Sequence, residues 1–244
     1  MKYLQITILL VFSSSMFSQQ NSSGVIEYTI MTHKSDSYKV VSEKNTKMNS
    51  FLSEPSYFTL TFTKNESLYS KKSIKMKSDT KKNNRIVHFL DIVGGGSGIY
   101  HTDNIRKKVL LQKEAYGEFF LISHKLTEWE ITQEIKRIGK YTCYKAIRKD
   151  KDYETRDSKM SSKKSKRPFV WFTPEIPVPY GPGLYNGLPG LVLEVNWGKI
   201  IFKTTKITLN PTSKIIIKKP KKGINISEKE YYKKATEIGE KMGF

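Results

Sequence analysis

Residues 107–148 read KKVLLQKEAYGEFFLISHKLTEWEITQEIKRIGKYTCYKAIR. Apolar side chains alternate with polar ones through most of this stretch. Lys107 to Glu114 and Glu118 to His124 are predicted as successive strands. Leu126 to Ile131 and Gln133 to Ile138 continue the rhythm, and Gly139-Lys140 turns the chain into Tyr141 to Arg148. A period of two puts alternate side chains on opposite faces of a strand. Repeated with short turns, it is the signature of an antiparallel meander.

The same pattern extends in both directions. Upstream, Gly24 to Met31 is a first strand, and Tyr57 to Phe62 pairs with Ser67 to Ile74 across Lys64-Asn65-Glu66. Downstream lie Phe169 to Thr173, Leu191 to Val195, Lys199 to Leu209 after a Trp197-Gly198 turn, and Ser213 to Lys218. The chain ends in a predicted helix. Ser227 and Glu230 form an S-x-x-E capping box, whose side chains satisfy orphan amides at a helix start. Tyr231, Ala235, Ile238 and Met242 then recur at spacings of three and four as one apolar stripe. The core material is aromatic and β-branched, with 14 Tyr, 12 Phe and 3 Trp, and these types suit a pleated, half-buried surface. The expected fold is mainly β: a curved antiparallel sheet, a half-barrel or open barrel, with a C-terminal α-helix.

The N-terminus predicts export. Lys2 precedes an apolar run from Tyr3 to Phe12, and Ser13 to Ser18 supplies small residues before Gln19. That order is a secretory signal peptide, residues 1–18. The run is shorter than the roughly 20 apolar residues of a membrane span, and no transmembrane span is expected elsewhere. Residues 19–244 are expected to form a single β domain. Within it, 149–168 is a basic hairpin excursion: Lys159 to Arg167 holds five basic residues and no acid. Cys143 is the only cysteine. It sits in the alternating strand Tyr141 to Ala146, which argues for burial, and no neighbouring histidine supplies a thiolate partner.

The net charge is +20, yet only six of the 43 basic residues are arginine. Base-reading proteins lean on arginine for bidentate contacts, so no nucleic acid is expected. On an exported protein the lysines point toward lipid, an anionic glycan or lipopolysaccharide.

Little catalytic chemistry is legible. His33, His88, His101 and His124 fall in no metal-binding spacing, and one cysteine excludes a Cys/His zinc pattern. There is no G-x-S-x-G nucleophile elbow. The run Gly94-Gly95-Gly96-Ser97-Gly98 lacks the Lys-Ser/Thr of a phosphate loop and reads as a flexible glycine run before a short strand, Ile99-Tyr100-His101. No catalytic residue, metal site or cofactor is predicted.

The remaining feature is Tyr180-Gly181-Pro182-Gly183-Leu184-Tyr185-Asn186-Gly187-Leu188-Pro189-Gly190. Proline fixes φ and glycine admits unusual φ. The loop therefore loses little freedom when ordered, and it holds Leu184, Tyr185 and Leu188 either as a plug for the end of the sheet or as a preorganised binding lip. Glu175 and Glu194 flank it.

These residues carry a resemblance. Tyr180-Gly181-Pro182 and Gly187-Leu188-Pro189-Gly190-Leu191-Val192 resemble the signature of the GLPGLI family of exported Bacteroidetes proteins, with Val192 in place of the final isoleucine. Trp129-Glu130-Ile131, Tyr141 to Ala146 and Trp171 to Pro177 resemble further blocks of that family. The resemblance implies the periplasm or the outer-membrane vicinity, with an outer-membrane transport component as a partner, and it transfers no catalytic residues. The strand order also resembles lipoprotein-carrier half-barrels. The expected function is non-catalytic binding or carriage of an apolar or anionic ligand, with Tyr180, Leu184, Tyr185, Leu188, Glu175 and Glu194 as candidate ligand contacts. The alternatives are an envelope hydrolase with residues gathered from separate strands, and a lysine-rich surface interaction or adhesion protein.

Overall fold

The computed structural model describes residues 23–32, 55–72, 89–149 and 167–241. The segments read as a signal peptide and, in the main, as a basic excursion lie outside these residues, as do His33, His88 and Met242. Twelve strands and two helices follow in chain order: β1 Gly24–Thr32, β2 Ser56–Phe62, β3 Glu66–Lys71, α1 Phe89–Gly94, β4 Ile99–Asp103, β5 Lys108–Ala115, β6 Glu118–Lys125, β7 Trp129–Ile138, β8 Tyr141–Arg148, β9 Phe169–Thr173, β10 Leu191–Trp197, β11 Ile200–Leu209, β12 Ile224–Ser227 and α2 Glu228–Lys241. All strands join one open sheet in the order β12-β6-β5-β4-β3-β2-β1-β11-β10-β9-β8-β7. The mainly β expectation, with an open curved sheet and a C-terminal helix, holds. Every pairing is antiparallel except β12 on β6, which is parallel.

Curvature follows from the core. Ile26, Tyr28, Phe58, Leu60 and Tyr69 from β1–β3 share one buried cluster with Ala146, Val170, Phe172, Leu191, Val195 and Phe202 from β8–β11. Strands so far apart in a sheet pack together only if the sheet curls over itself. Bulges supply the bending. One lies in β10 between Val192 and Glu194, a second in β7 between Ile131 and Ile135, and a third in β11 opposite Glu27 and Tyr28. The second turns two expected strands, Leu126 to Ile131 and Gln133 to Ile138, into one interrupted strand. Aromatic rings fill the enclosed space. Phe58 stacks on Tyr69 at 5.3 Å between centroids, and Tyr69 meets Tyr28 and Tyr100 edge-on at 6.3 and 5.9 Å. Each such pair adds about 1 kcal/mol beyond its buried area. The Tyr28 hydroxyl donates to the Val192 carbonyl at 2.5 Å, so the bulged part of β10 keeps a buried partner.

Two expectations change. The glycine run is not loose: Gly94 ends α1 and the next three residues form a turn. Leu90 is fully buried and Asp91 pairs with Lys71 at 2.5 Å. Gly96 N–H then donates to the Asp91 carbonyl at 2.6 Å from a left-handed backbone (φ 60°), a conformation glycine takes without steric penalty. Ser213 to Lys218 does not pair as a strand. Ile215 and Ile217 are half-buried and Ile216 exposed, so the alternation is present, but the segment lies in the crossover from β11 to the far edge of the sheet. Ile224–Ser227, which carries no strand expectation, pairs instead.

The capping box forms as expected. Ser227 N–H donates to Glu230 Oε2 at 2.8 Å and Glu230 N–H to Ser227 Oγ at 3.2 Å. The hydrogen bonds from Ser227 hold the Glu230 carboxyl below its ordinary range. No residue of α2 is buried. It is held by Tyr231, edge-on to Phe120 at 5.4 Å, and by Lys234 on Glu118 at 2.6 Å.

Candidate functional site

The Gly/Pro loop closes the curled sheet from one end. Ile176, Val178, Tyr180 and Leu188 all belong to the main core. The Tyr180 ring lies 5.9 Å from Phe62, and its hydroxyl donates to the Lys64 carbonyl at 3.2 Å in the β2–β3 turn. Burial pushes that phenol well up from its ordinary pKa. Leu184 and Tyr185 are half-buried. Tyr185 meets Phe202 edge-on at 5.7 Å, while Thr127 Oγ1 donates to the Leu184 carbonyl at 2.6 Å. Trp129 Nε1 donates to the Asn186 carbonyl at 2.7 Å. The backbone returns on itself through Gly187 N–H to the Pro179 carbonyl at 3.0 Å, with Gly187 at φ 92°. The enclosed face of the sheet is thus filled by the protein's own side chains, the loop's among them.

The two flanking carboxylates have separate duties. Glu175 is exposed and accepts from Thr142 N–H at 2.6 Å, pinning the loop's entry to β8. Glu194 Oε1 accepts from Lys136 Nζ and from Asn196 Nδ2, both at 2.8 Å. Lys136 also lies 4.5 Å from the centre of the Trp171 ring, a cation–π contact. The described histidines pair elsewhere: His101 with Glu66 at 2.8 Å and His124 Nδ1 with Glu228 at 3.2 Å. Among the described residues, no group of three or more His, Cys, Asp or Glu side chains is placed to hold a metal ion.

Cys143 is fully buried in β8, as its strand context predicts. Burial pushes its thiol up to about 11, so at pH 8 the nucleophilic thiolate is scarce. The native protein is expected to react with iodoacetamide at least 100-fold more slowly than the protein in guanidinium, as mass spectrometry of timed samples would show.

Open space lies where the β7–β8 hairpin tip meets β10 and β11. Two adjoining clefts of about 230 and 240 Å³ share Ile138, Leu193 and Thr204. Lys136, Arg137, Glu194 and Lys203 line the first. Lys140, Tyr141, Thr205, Lys206 and Ile207 line the second. The floor where they join is apolar and the rim carries five cations against one carboxylate. That carboxylate, Glu194, is held by Lys136. Among the described residues, no carboxylate forms an ion pair with Arg137, Lys140, Lys203 or Lys206.

The β11 bulge decides how the rim is arranged. Lys203 and Lys206 are three residues apart, which in a regular strand puts them on opposite faces. Here Thr205 is the extra residue, because Lys206 is opposite Glu27 while Thr204 is opposite Tyr28. Lys203 is opposite Thr29, so both lysines share the face of Glu27 and Thr29, and Glu27 is itself paired with Lys72 at 2.7 Å. No period-two reading finds this pair.

Residues 129–194 match a family described as a protein of unknown function (Porph_ging), which is associated with Bacteroidetes. The matched segment runs from β7 to Glu194 and contains the Gly/Pro loop and one wall of the basic groove. No curated protein matches the chain in sequence. Two solved structures of PNGF-II, in space groups P21 and C2, are similar in fold, with TM-scores of 0.54 and 0.51 at 14% identity. Both alignments cover 87% of this chain and 32% of that protein, so the chain spans about a third of its length. At this identity the likeness is one of fold alone.

Proposed function

We propose that the chain is an exported cell-envelope protein of the GLPGLI type that binds an anionic ligand, without catalysis, in the groove between the β7–β8 hairpin and β10–β11. The observation that carries the reading is the set of four groove cations with no carboxylate ion pair among the described residues, set around the half-buried apolar side chains of Ile138, Tyr141 and Ile207. Such a rim raises the local concentration of anions, and the floor favours a ligand with an apolar body. Carriage of a wholly apolar cargo is less supported, because the loop and the aromatic rings fill the enclosed face of the sheet. The N-terminal run from Lys2 to Ser18 and the GLPGLI-like blocks support export to the periplasm or the outer-membrane vicinity.

The test is direct. The mature protein is titrated with vesicles containing phosphatidylglycerol and with heparin oligosaccharide, alongside Lys203→Glu and Lys206→Glu. Binding that falls at least tenfold in either variant, and weakens with salt as screened charges do, supports the groove. Binding to both probes that is unchanged by the variants would remove it.

A further inference from the structure

From the arrangement of the rim we infer that the groove takes a doubly anionic ligand, with two phosphate or carboxylate groups about 7 Å apart across a compact body. This deepens the proposed reading and rests on it. The spacing comes from the fold. Lys203 and Lys206 sit opposite Thr29 and Glu27, two residues apart on β1. Their backbones are therefore separated by two strand steps, about 7 Å. Each lysine has cationic company from the other wall. Lys203 shares the first cleft with Lys136, and Lys206 shares the second with Lys140, while Arg137 turns its guanidinium to the Lys140 carbonyl at 3.3 Å.

Between the two cationic centres stand Ile138, Leu193 and Thr204, which both clefts share. Leu193 is fully buried and the Thr204 hydroxyl already donates to the Leu193 carbonyl at 2.8 Å, so the surface presented here is that of half-buried Ile138, which suits the waist of a ligand rather than a third charge. The acidic groups opposite the two lysines are engaged by other partners. Glu194, the register partner of Lys203, holds Lys136 and Asn196 through one oxygen, and Glu27, the register partner of Lys206, holds Lys72. A ligand with one anionic group fills one centre and leaves the other facing water. A ligand with two engages both, and the second contact forms at the high effective concentration that linkage gives.

Two ligand sources share this chemistry: a soluble bisphosphorylated molecule and a lipid headgroup with two phosphates. The experiment uses tetramethylene bisphosphonate and butylphosphonate as soluble probes, titrated into the mature protein by calorimetry at fixed low salt. Phosphatidylcholine vesicles carrying cardiolipin, or phosphatidylglycerol at equal charge, form the lipid arm. The expected result is roughly tenfold or greater preference for the bisphosphonate, lost in both Lys203→Gln and Lys206→Gln. These lysines are exposed, so both variants are expected to melt with the parent. Each variant weakens butylphosphonate no more than about twofold, since one centre stays intact. A matching preference for cardiolipin assigns a membrane source, and preference in the soluble arm alone assigns a free one; both support the inference. Equal affinity for the two phosphonates overturns it while leaving an anion-binding groove. No binding of any anionic probe overturns the groove itself.

Discussion

Gly190→Ala is expected to lower the melting temperature by roughly 6–12 °C, from a loss of about 3 kcal/mol. Gly190 is fully enclosed at the point where the loop enters β10. A methyl group built there overlaps the Thr173 carbonyl oxygen and stands 2.8 Å from Pro174 N. Both are backbone atoms at the end of β9, so no flexible side chain can yield. Gly181→Ala meets the same obstacle at the Tyr185 carbonyl oxygen and at Val192 Cβ, 2.8 Å away, and is expected to cost about as much. The contrast is Gly239→Ala in α2. Nothing lies within 4 Å of its added methyl, and its φ is not positive. There alanine favours the helix by about 1 kcal/mol, so that melt should stay level or rise. Thermal denaturation by circular dichroism reads all three. A Gly190→Ala protein melting within a degree or two of its parent would mean that the loop and β9 are not in this close contact.

The strands were legible because their determinants are local. Alternation along β5, β6 and β8, and turns such as Gly139-Lys140, need no knowledge of distant residues. The capping box at Ser227 and Glu230 was legible for the same reason. What escaped depends on contacts made far along the chain. Helix α1 has six residues, too few for a helical period to register, and it is fixed by Leu90 entering a core built from β1 and β2. Ile215 to Ile217 alternate in burial like a strand, yet Ile224–Ser227 takes the place beside β6, because ladder partners are allotted by the crossover and not by propensity. The candidate site divides in the same way. Glu194 flanks the loop in sequence and also stands at the groove. Lys203 and Lys206 give no such signal, because an odd spacing places them on opposite faces until Thr205 bulges. A bulge is a property of the strand pair, and β1 is nearly 180 residues away from Lys206 in sequence.

Leu188→Asp and Leu184→Asp should separate a structural loop from a binding lip, since the same chemistry is introduced four residues apart. Leu188 is 2% exposed and belongs to the main core. A carboxylate there has neither water nor a cation. Either it stays ionised at large cost or it takes up a proton and still lacks partners, and a loss above about 4 kcal/mol is expected. The protein should then express poorly or melt more than 10 °C early, a shift at the upper end for a domain of this size. Leu184 is half-buried, and its backbone carbonyl rather than its side chain anchors Thr127. Aspartate at that position keeps access to water and should cost about 1 kcal/mol. Anion binding in the basic groove should be unchanged in Leu184→Asp, because the groove's lining contains no loop residue. A Leu188→Asp protein that melted normally but lost ligand would reverse the assignment. The loop would then contact cargo directly, and the filled face of the sheet would have to open to admit it.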